Sequence, residues 1–164
     1  MDDTNRQKAR GINQAINMGL FDDWHQPCRT REGQPVWRLV IAFVFALGED
    51  EPELIDSRAI NIENDEIEIV AMNARHVFRF AGVLDPNVFT VEVHSRNTIV
   101  GIEVLEAPES IESSSFTNRH LITRLKLTLA AGDQFTLPLS PDSNSDATES
   151  ARRLYPALLK DLSA

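Results

Sequence analysis

Residues 121–129, with the sequence LITRLKLTL, alternate apolar and polar side chains and are the strongest indication of the fold class. The turn Ala131-Gly132-Asp133 follows, and residues 134–139 (QFTLPL) alternate again. Alternation of this kind is typical of a strand with one buried face, and two such strands around a glycine-containing turn predict a β-hairpin. A polar loop then leads to residues 146–162, where apolar residues recur at a spacing of three and four, which predicts an amphipathic helix. A hairpin closed by a terminal helix is typical of a small β-barrel or sandwich.

The rest of the chain extends this pattern towards the N-terminus. Residues 36–47 (VWRLVIAFVFAL) are almost wholly apolar and predict a strand that is covered on both faces. Hairpins are expected at residues 60–71 and 88–105, with a further strand at residues 75–80 between them. Residues 4–20 predict a helix, because apolar side chains recur there at helical spacing. The expected fold is mainly β with flanking helices, an α+β chain with an N-terminal helix, seven or eight antiparallel strands and a C-terminal helix.

This order of elements resembles that of pleckstrin-homology-like barrels. The resemblance would cover roughly residues 36–162, preceded by an N-terminal helix and connector at residues 1–35. It implies one domain in which two nearly orthogonal sheets are closed at a corner by the last helix. Such domains usually place a tryptophan in that helix, where this chain has Tyr155. An orthogonal sandwich with flanking helices is the other architecture that fits.

The loop after the first predicted strand separates this chain from the lipid-binding members of that family. Those members carry Lys and Arg in this loop, whereas here it reads Glu49-Asp50-Glu51-Pro52-Glu53. The resemblance therefore implies a protein-interaction module and does not imply phosphoinositide binding.

Composition narrows the classes of function. The chain has 164 residues, 42% of them hydrophobic, which suits one globular domain with a real core. Its formal charge of −9 disfavours nucleic acid and anionic membrane surfaces as partners. Cys28 is the only cysteine, the N-terminus lacks a signal-peptide pattern, and the apolar run at 39–47 is too short to span a bilayer. We expect a cytoplasmic protein without membrane insertion.

The residues that most often carry chemistry do not form a motif. His25 and Cys28 offer two metal ligands where three or four are needed. His76, His94 and His120 lie in separate predicted strands. Nucleotide-binding and hydrolase fingerprints are missing. We therefore expect no catalytic residue, no metal and no cofactor.

The N-terminal helix offers one candidate partner-binding surface. Ile12, Ile16 and Leu20 form a narrow apolar stripe, and Phe21 and Trp24 follow it. Such a stripe suits a groove on a partner protein, a homo-oligomer formed through this helix, or packing inside the chain itself. The sequence does not separate these alternatives.

A second candidate is a basic stripe formed by Arg75 and Arg79 on one strand and Arg124 and Lys126 on another. If the two strands are neighbours, the stripe would suit an acidic partner or a phosphorylated ligand. Cross-strand pairing with glutamates is the more common role for such residues.

Two functions follow from these observations. The first is a non-catalytic protein-interaction or ligand-binding module. The alternative is a small-ligand carrier or an enzyme, with a pocket at the barrel mouth lined by residues such as Trp37, His94 and His120. A deep pocket with converging histidine and carboxylate groups would favour the alternative.

Overall fold

The computed structural model describes residues 3–20, 35–61, 63–84, 90–106, 124–139 and 145–163. Within these ranges the chain forms three α-helices and seven strands in two antiparallel sheets, an α+β arrangement as predicted. The elements in chain order are α1 (Asp3–Leu20), α2 (Pro35–Leu47), β1 (Leu54–Asn61), β2 (Glu66–Met72), β3 (His76–Val83), β4 (Glu92–Ser95), β5 (Ile99–Glu106), β6 (Arg124–Leu129), β7 (Gln134–Leu137) and α3 (Ser145–Ser163).

The chain divides into two compact units, Met1–His94 and Ser95–Ala164. One sheet has the order β1-β2-β3-β4 and the other the order β5-β6-β7, so strands that follow one another in the chain are also neighbours in each sheet. The number of strands, their antiparallel pairing and the helices at both ends of the chain agree with the sequence prediction. The strand pairing forms two separate sheets, and the closed barrel therefore stays a prediction.

The core of the first unit lies between α1, α2 and one face of the four-stranded sheet. Ile12 and Ile16 of α1 are 2% and 0% exposed, and Ile69 and Phe80 face them from neighbouring strands in direct register. Ser57 of β1 is buried on the same face, and its hydroxyl donates a 2.7 Å hydrogen bond to the Ile16 carbonyl. This bond fixes α1 against the edge strand of the sheet while it satisfies a buried hydroxyl.

The strand predicted at residues 36–47 is wrong, because these residues form the helix α2. A continuous apolar run does not distinguish a doubly covered strand from a buried helix by periodicity. Pro35 begins the helix, where its missing N–H is not needed, and Gly48 ends it with φ of +60°. The Gly48 N–H donates to the carbonyls of Val44 and Phe45, at 3.1 and 3.2 Å, which closes the last turn.

The hairpin predicted at residues 88–105 is also wrong. β4 belongs to the four-stranded sheet and β5 to the three-stranded sheet, and a short 3-10 helix, Arg96–Thr98, lies between them. The side chain of Ser95 caps this helix by accepting from the Asn97 N–H. The polar turn that looked like a hairpin loop therefore carries the chain from one sheet to the other.

The second unit buries every second residue of β6. Leu125, Leu127 and Leu129 of β6 are at most 1% exposed, and Leu127 lies opposite Phe135 of β7. The helix α3 contributes a stripe of four buried residues at helical spacing, Ala147, Ala151, Leu154 and Leu158. A salt bridge of 2.8 Å between Asp161 of α3 and the buried Arg96 ties the end of this helix to the 3-10 helix that precedes β5.

The ladders between described strands contain three register shifts, and each inserts an exposed apolar residue into an edge strand. The inserted residues are Ile60 in β1 and Val100 and Leu105 in β5, with exposed fractions of 47%, 59% and 42%. Bulges bend an edge strand and interrupt its row of free backbone groups. They therefore hinder edge-to-edge pairing with another sheet.

Glu149 in α3 gives the helix a pH-dependent contribution. The hydrogen bond from Arg152 has the largest effect and lowers the pKa of its carboxyl, burial opposes this, and the hydrogen bond from Arg153 lowers the pKa further, so that it lies below the ordinary value. Since a lowered folded-state pKa stabilises only while the carboxylate is charged, the contribution is present at neutral pH and is lost as the pH falls below about 4. We expect Glu149→Gln to cost about 0.5 kcal/mol at neutral pH. Urea unfolding of both proteins should show this difference shrinking towards pH 3, and a constant difference would contradict the assignment.

Candidate binding cleft

A cleft of about 450 Å³ lies in the first unit, between the N-terminal half of α1 and the segment that joins α2 to β1. One wall comes from α1 and consists of Thr4, Gln7, Lys8 and Gly11, with Ile12 beneath them. The facing wall consists of Glu51, Pro52 and Ile55. We refer to this feature as the α1 cleft.

The helical repeat of α1 explains how the sequence builds the first wall. Thr4, Gln7, Lys8 and Gly11 are spaced i, i+3, i+4 and i+7, and residues at this spacing share one face of a helix. The buried apolar stripe lies beside this face and fixes the helix on the sheet. The exposed Arg6 falls on roughly the opposite side of the helix, and the exposed Arg10 falls between that side and Gln7, because each residue advances the helix by about 100°.

Lys8 connects α1 to the end of α2. Its side chain is buried at 8% exposure, and its Nζ donates to the carbonyls of Gly48, at 3.0 Å, and Asp50. Carbonyls at the C-terminal end of a helix carry partial negative charge that a nearby cation stabilises. The Lys8 ammonium therefore has a structural partner in the folded chain.

A hydrogen-bond network holds the second wall in place. Arg75 donates from Nη2 to both carboxylate oxygens of Asp50, at 3.1 and 2.8 Å, and Asn73 Nδ2 donates to the same carboxylate at 3.3 Å. Asn73 is 2% exposed, and its Oδ1 accepts from the backbone N–H groups of Arg75 and His76. The loop that carries Glu51 is thereby tied to the turn between β2 and β3, which gives the cleft a fixed shape.

Gly11 leaves a gap in the helical wall of the cleft. A Cβ atom built at this exposed position would meet no heavy atom within 4 Å other than its chain neighbours and its own helix backbone. Glycine inside a helix is less favourable than alanine by about 0.8–1 kcal/mol. The fold itself therefore gives no packing reason for a glycine here, and the gap brings the helix backbone to the surface of the cleft.

The structure places the predicted N-terminal stripe inside the first unit. Ile12, Ile16 and Leu20 are at most 3% exposed and belong to the core with α2 and the sheet. Of the three roles left open by the sequence, these side chains therefore take packing inside the chain. Phe21 and Trp24 lie outside the described residues.

The residues of the predicted basic stripe are divided between the two sheets. Arg79 is in β3 and Arg75 precedes that strand, whereas Arg124 and Lys126 are in β6. β3 pairs with β2 and β4, and β6 pairs with β5 and β7. The condition for a shared stripe, that the two strands are neighbours, is therefore not met.

Three of these cations contact carboxylates, the more common role weighed from the sequence. Arg75 pairs with Asp50 at 2.8 Å, and Lys126 pairs across strands with Glu103 at 3.3 Å. Arg79 pairs with Glu68 at 2.9 Å, again across strands. These pairs fix the loop and the sheets internally.

The residues suggested for a barrel-mouth pocket do not line the α1 cleft. Trp37 is half-buried against the first core from α2. His94 is in β4, with its Nε2 at 3.6 Å from Glu92 Oε2. His120 lies outside the described residues. The described chain does not gather these residues at the cleft.

Sequence reasoning missed the residues that form the cleft. These residues form no motif: a glycine is in general a weak point of a helix, a lysine suits its polar face, and an acidic loop residue suits solvent. The sequence contains one signal of the cleft. The apolar stripe of α1 is regular, and Gly11 lies on the polar side of this helix. The position of the acidic loop opposite that glycine depends on the tertiary fold.

Comparison of the chain with protein-family models, with curated proteins and with solved structures finds no match in any of the three. Within the described ranges, no helix has the length and apolar character needed to cross a membrane. The same residues contain no group of three His, Cys, Asp or Glu side chains that could hold a metal ion.

Proposed function

We propose that this chain is a non-catalytic binding module whose α1 cleft holds an extended segment of a partner protein. The observation that carries the proposal is Gly11, a mid-helix glycine that opens the cleft wall although nothing in the described fold occupies the space. The packing of the chain itself does not require a glycine at this position. A glycine is needed there if the backbone of another chain approaches the helix closely.

The lining of the cleft supports binding over catalysis. Its ionisable side chains are Lys8 and Glu51, and the Lys8 ammonium is engaged by two backbone carbonyls. Glu51 is then the one ionisable side chain of this lining that a ligand can reach, and the lining offers no second ionisable group to exchange protons with it in general acid–base chemistry. Thr4 and Gln7 instead offer neutral donors and acceptors suited to a peptide backbone.

We also propose a pleckstrin-homology-like arrangement for the strands and the last helix. It is supported by the grouping of four strands and then three, each group in chain order, followed by α3. The helices α1 and α2 then form an N-terminal addition, and α1 provides the binding wall.

The absence of a second cysteine supports a reducing, cytoplasmic location.

Gly11→Ala is expected to raise the free energy of unfolding by about 0.8–1 kcal/mol, because alanine is the better helix former and its methyl group meets no neighbour. Thermal and urea unfolding measure this change. A destabilised variant would show that the fold needs the glycine, and the argument from Gly11 would then fail.

Binding is tested by selecting a phage library of random 12-residue peptides on the full chain. Gly11→Leu fills the cleft from the helix side and is expected to weaken the selected peptides at least tenfold. Gln14→Leu adds the same side chain at an exposed position of α1 that does not line the cleft, and should leave their binding unchanged. A selection that yields no Gly11-dependent peptide would contradict the proposed function.

A further inference from the structure

We infer that the occupant of the α1 cleft carries a lysine or arginine side chain whose charged group pairs with Glu51 while its backbone lies along Gly11. This inference rests on the proposed function and adds the chemical class of the partner segment. It follows from which charged side chains of the cleft already have partners within the chain.

The positive charge of the cleft is already used within the chain. Lys8 is 8% exposed and its Nζ is bonded to the carbonyls of Gly48 and Asp50 at the end of α2. An anionic ligand would have to compete with these part-buried bonds, and breaking them would take the Lys8 donor away from both carbonyls at the end of α2. The cleft therefore does not favour an anion.

The negative charge of the cleft remains available to a ligand. Glu51 is exposed on the wall opposite α1. The adjacent Asp50 is the carboxylate that Arg75 and Asn73 engage, so the network that fixes the loop uses Asp50 and leaves Glu51 at the surface. Arg6 and Arg10, the other cations of α1, are exposed and do not line the cleft. A charge-assisted hydrogen bond from a cationic side chain is the strongest polar contact that this lining can add.

The apolar part of the lining suits the same occupant. Pro52 and Ile55 lie on the wall that carries Glu51, and Ile12 lies beneath Gly11. Lysine and arginine place long aliphatic stems on apolar surface while their charged groups pair elsewhere. Thr4 and Gln7 remain to bond the backbone of the segment.

The net charge of the chain agrees with a basic partner. The formal charge is −9, and Glu49 is exposed two residues before Glu51. An acidic surface steers a basic segment towards the cleft and repels an acidic one. Binding is therefore expected to weaken as the salt concentration rises.

The test uses the peptides recovered by the phage selection, labelled with a fluorophore and titrated with the full chain by fluorescence anisotropy. We expect the Gly11-dependent peptides to be enriched in Lys or Arg. Glu51→Gln should raise their Kd about five- to tenfold, whereas Glu49→Gln, in the same loop but outside the cleft lining, should change it less than about twofold. Replacing the Lys or Arg of the peptide with Gln should cause the same loss, and the two changes together should add little.

The outcomes separate this inference from the proposed function. Peptides that depend on Gly11 but lack Lys and Arg, or that bind Glu51→Gln as tightly as the native chain, would overturn the inference and leave the binding module standing. If no peptide depends on Gly11, both proposals fail. Equal losses from Glu51→Gln and Glu49→Gln would show attraction to the acidic loop in general and would also overturn the inference.

Discussion

Replacing both Arg58 and Arg79 with methionine is expected to lower the free energy of unfolding by about 3–5 kcal/mol. The reason is Glu68, which lies in β2 and is 2% exposed. Removing both arginines leaves this buried carboxylate without the cations that bond it. Urea unfolding followed by circular dichroism measures the change.

The geometry around Glu68 shows why both arginines matter. Arg58 lies directly opposite in β1 and donates from Nε and Nη2 to Oε2, at 2.9 and 2.6 Å. Arg79 of β3 approaches the other oxygen, Oε1, with Nε at 3.0 Å and Nη2 at 2.9 Å. The carboxylate is thus held from both neighbouring strands. Either arginine alone would still pair with one oxygen, so the double substitution gives the largest effect.

A triple variant provides the control. Arg58→Met, Glu68→Leu and Arg79→Met together replace the ionic group with apolar side chains of similar size, and such replacements are often neutral or stabilising. We expect this variant to recover most of the stability lost by the double variant. If the triple variant is as unstable as the double variant, the loss does not come from the unpaired carboxylate and the explanation is wrong.

The sequence predicts those elements whose periodicity is unambiguous. α1 was predicted at residues 4–20 because its stripe repeats at helical spacing, and the structure has the helix at Asp3–Leu20. The hairpin of β6 and β7 was predicted from strict alternation, and the register pairs Leu127 with Phe135 as two buried residues. In these segments one face is polar and the other apolar, so the period can be read directly.

The same reasoning fails where the pattern has no polar face. Residues 36–47 are apolar except for Arg38, and the decisive signals are Pro35 and Gly48, which mark the ends of a helix of 13 residues. The exchange between sheets at Ser95 was not predictable, because a polar turn has the same composition whether it joins strands of one sheet or of two. The cleft could not be predicted from the sequence either. Gly11 and Glu51 are 40 positions apart, and only the packing of α1 on the sheet brings them to one site.

Leu158→Ala is expected to lower the free energy of unfolding by about 2–5 kcal/mol, since Leu158 is fully buried in the second unit on the stripe that α3 presents to its sheet. Leu159→Ala is the matched control, with the same chemical change at the next position of the same helix, where the side chain is 44% exposed. It should cost less than about 1 kcal/mol. Both substitutions change helix propensity equally, so the difference between them measures burial alone. Equal losses would place α3 outside the core of the second unit, and would also weaken the pleckstrin-homology-like proposal, which requires the last helix to pack on the strands.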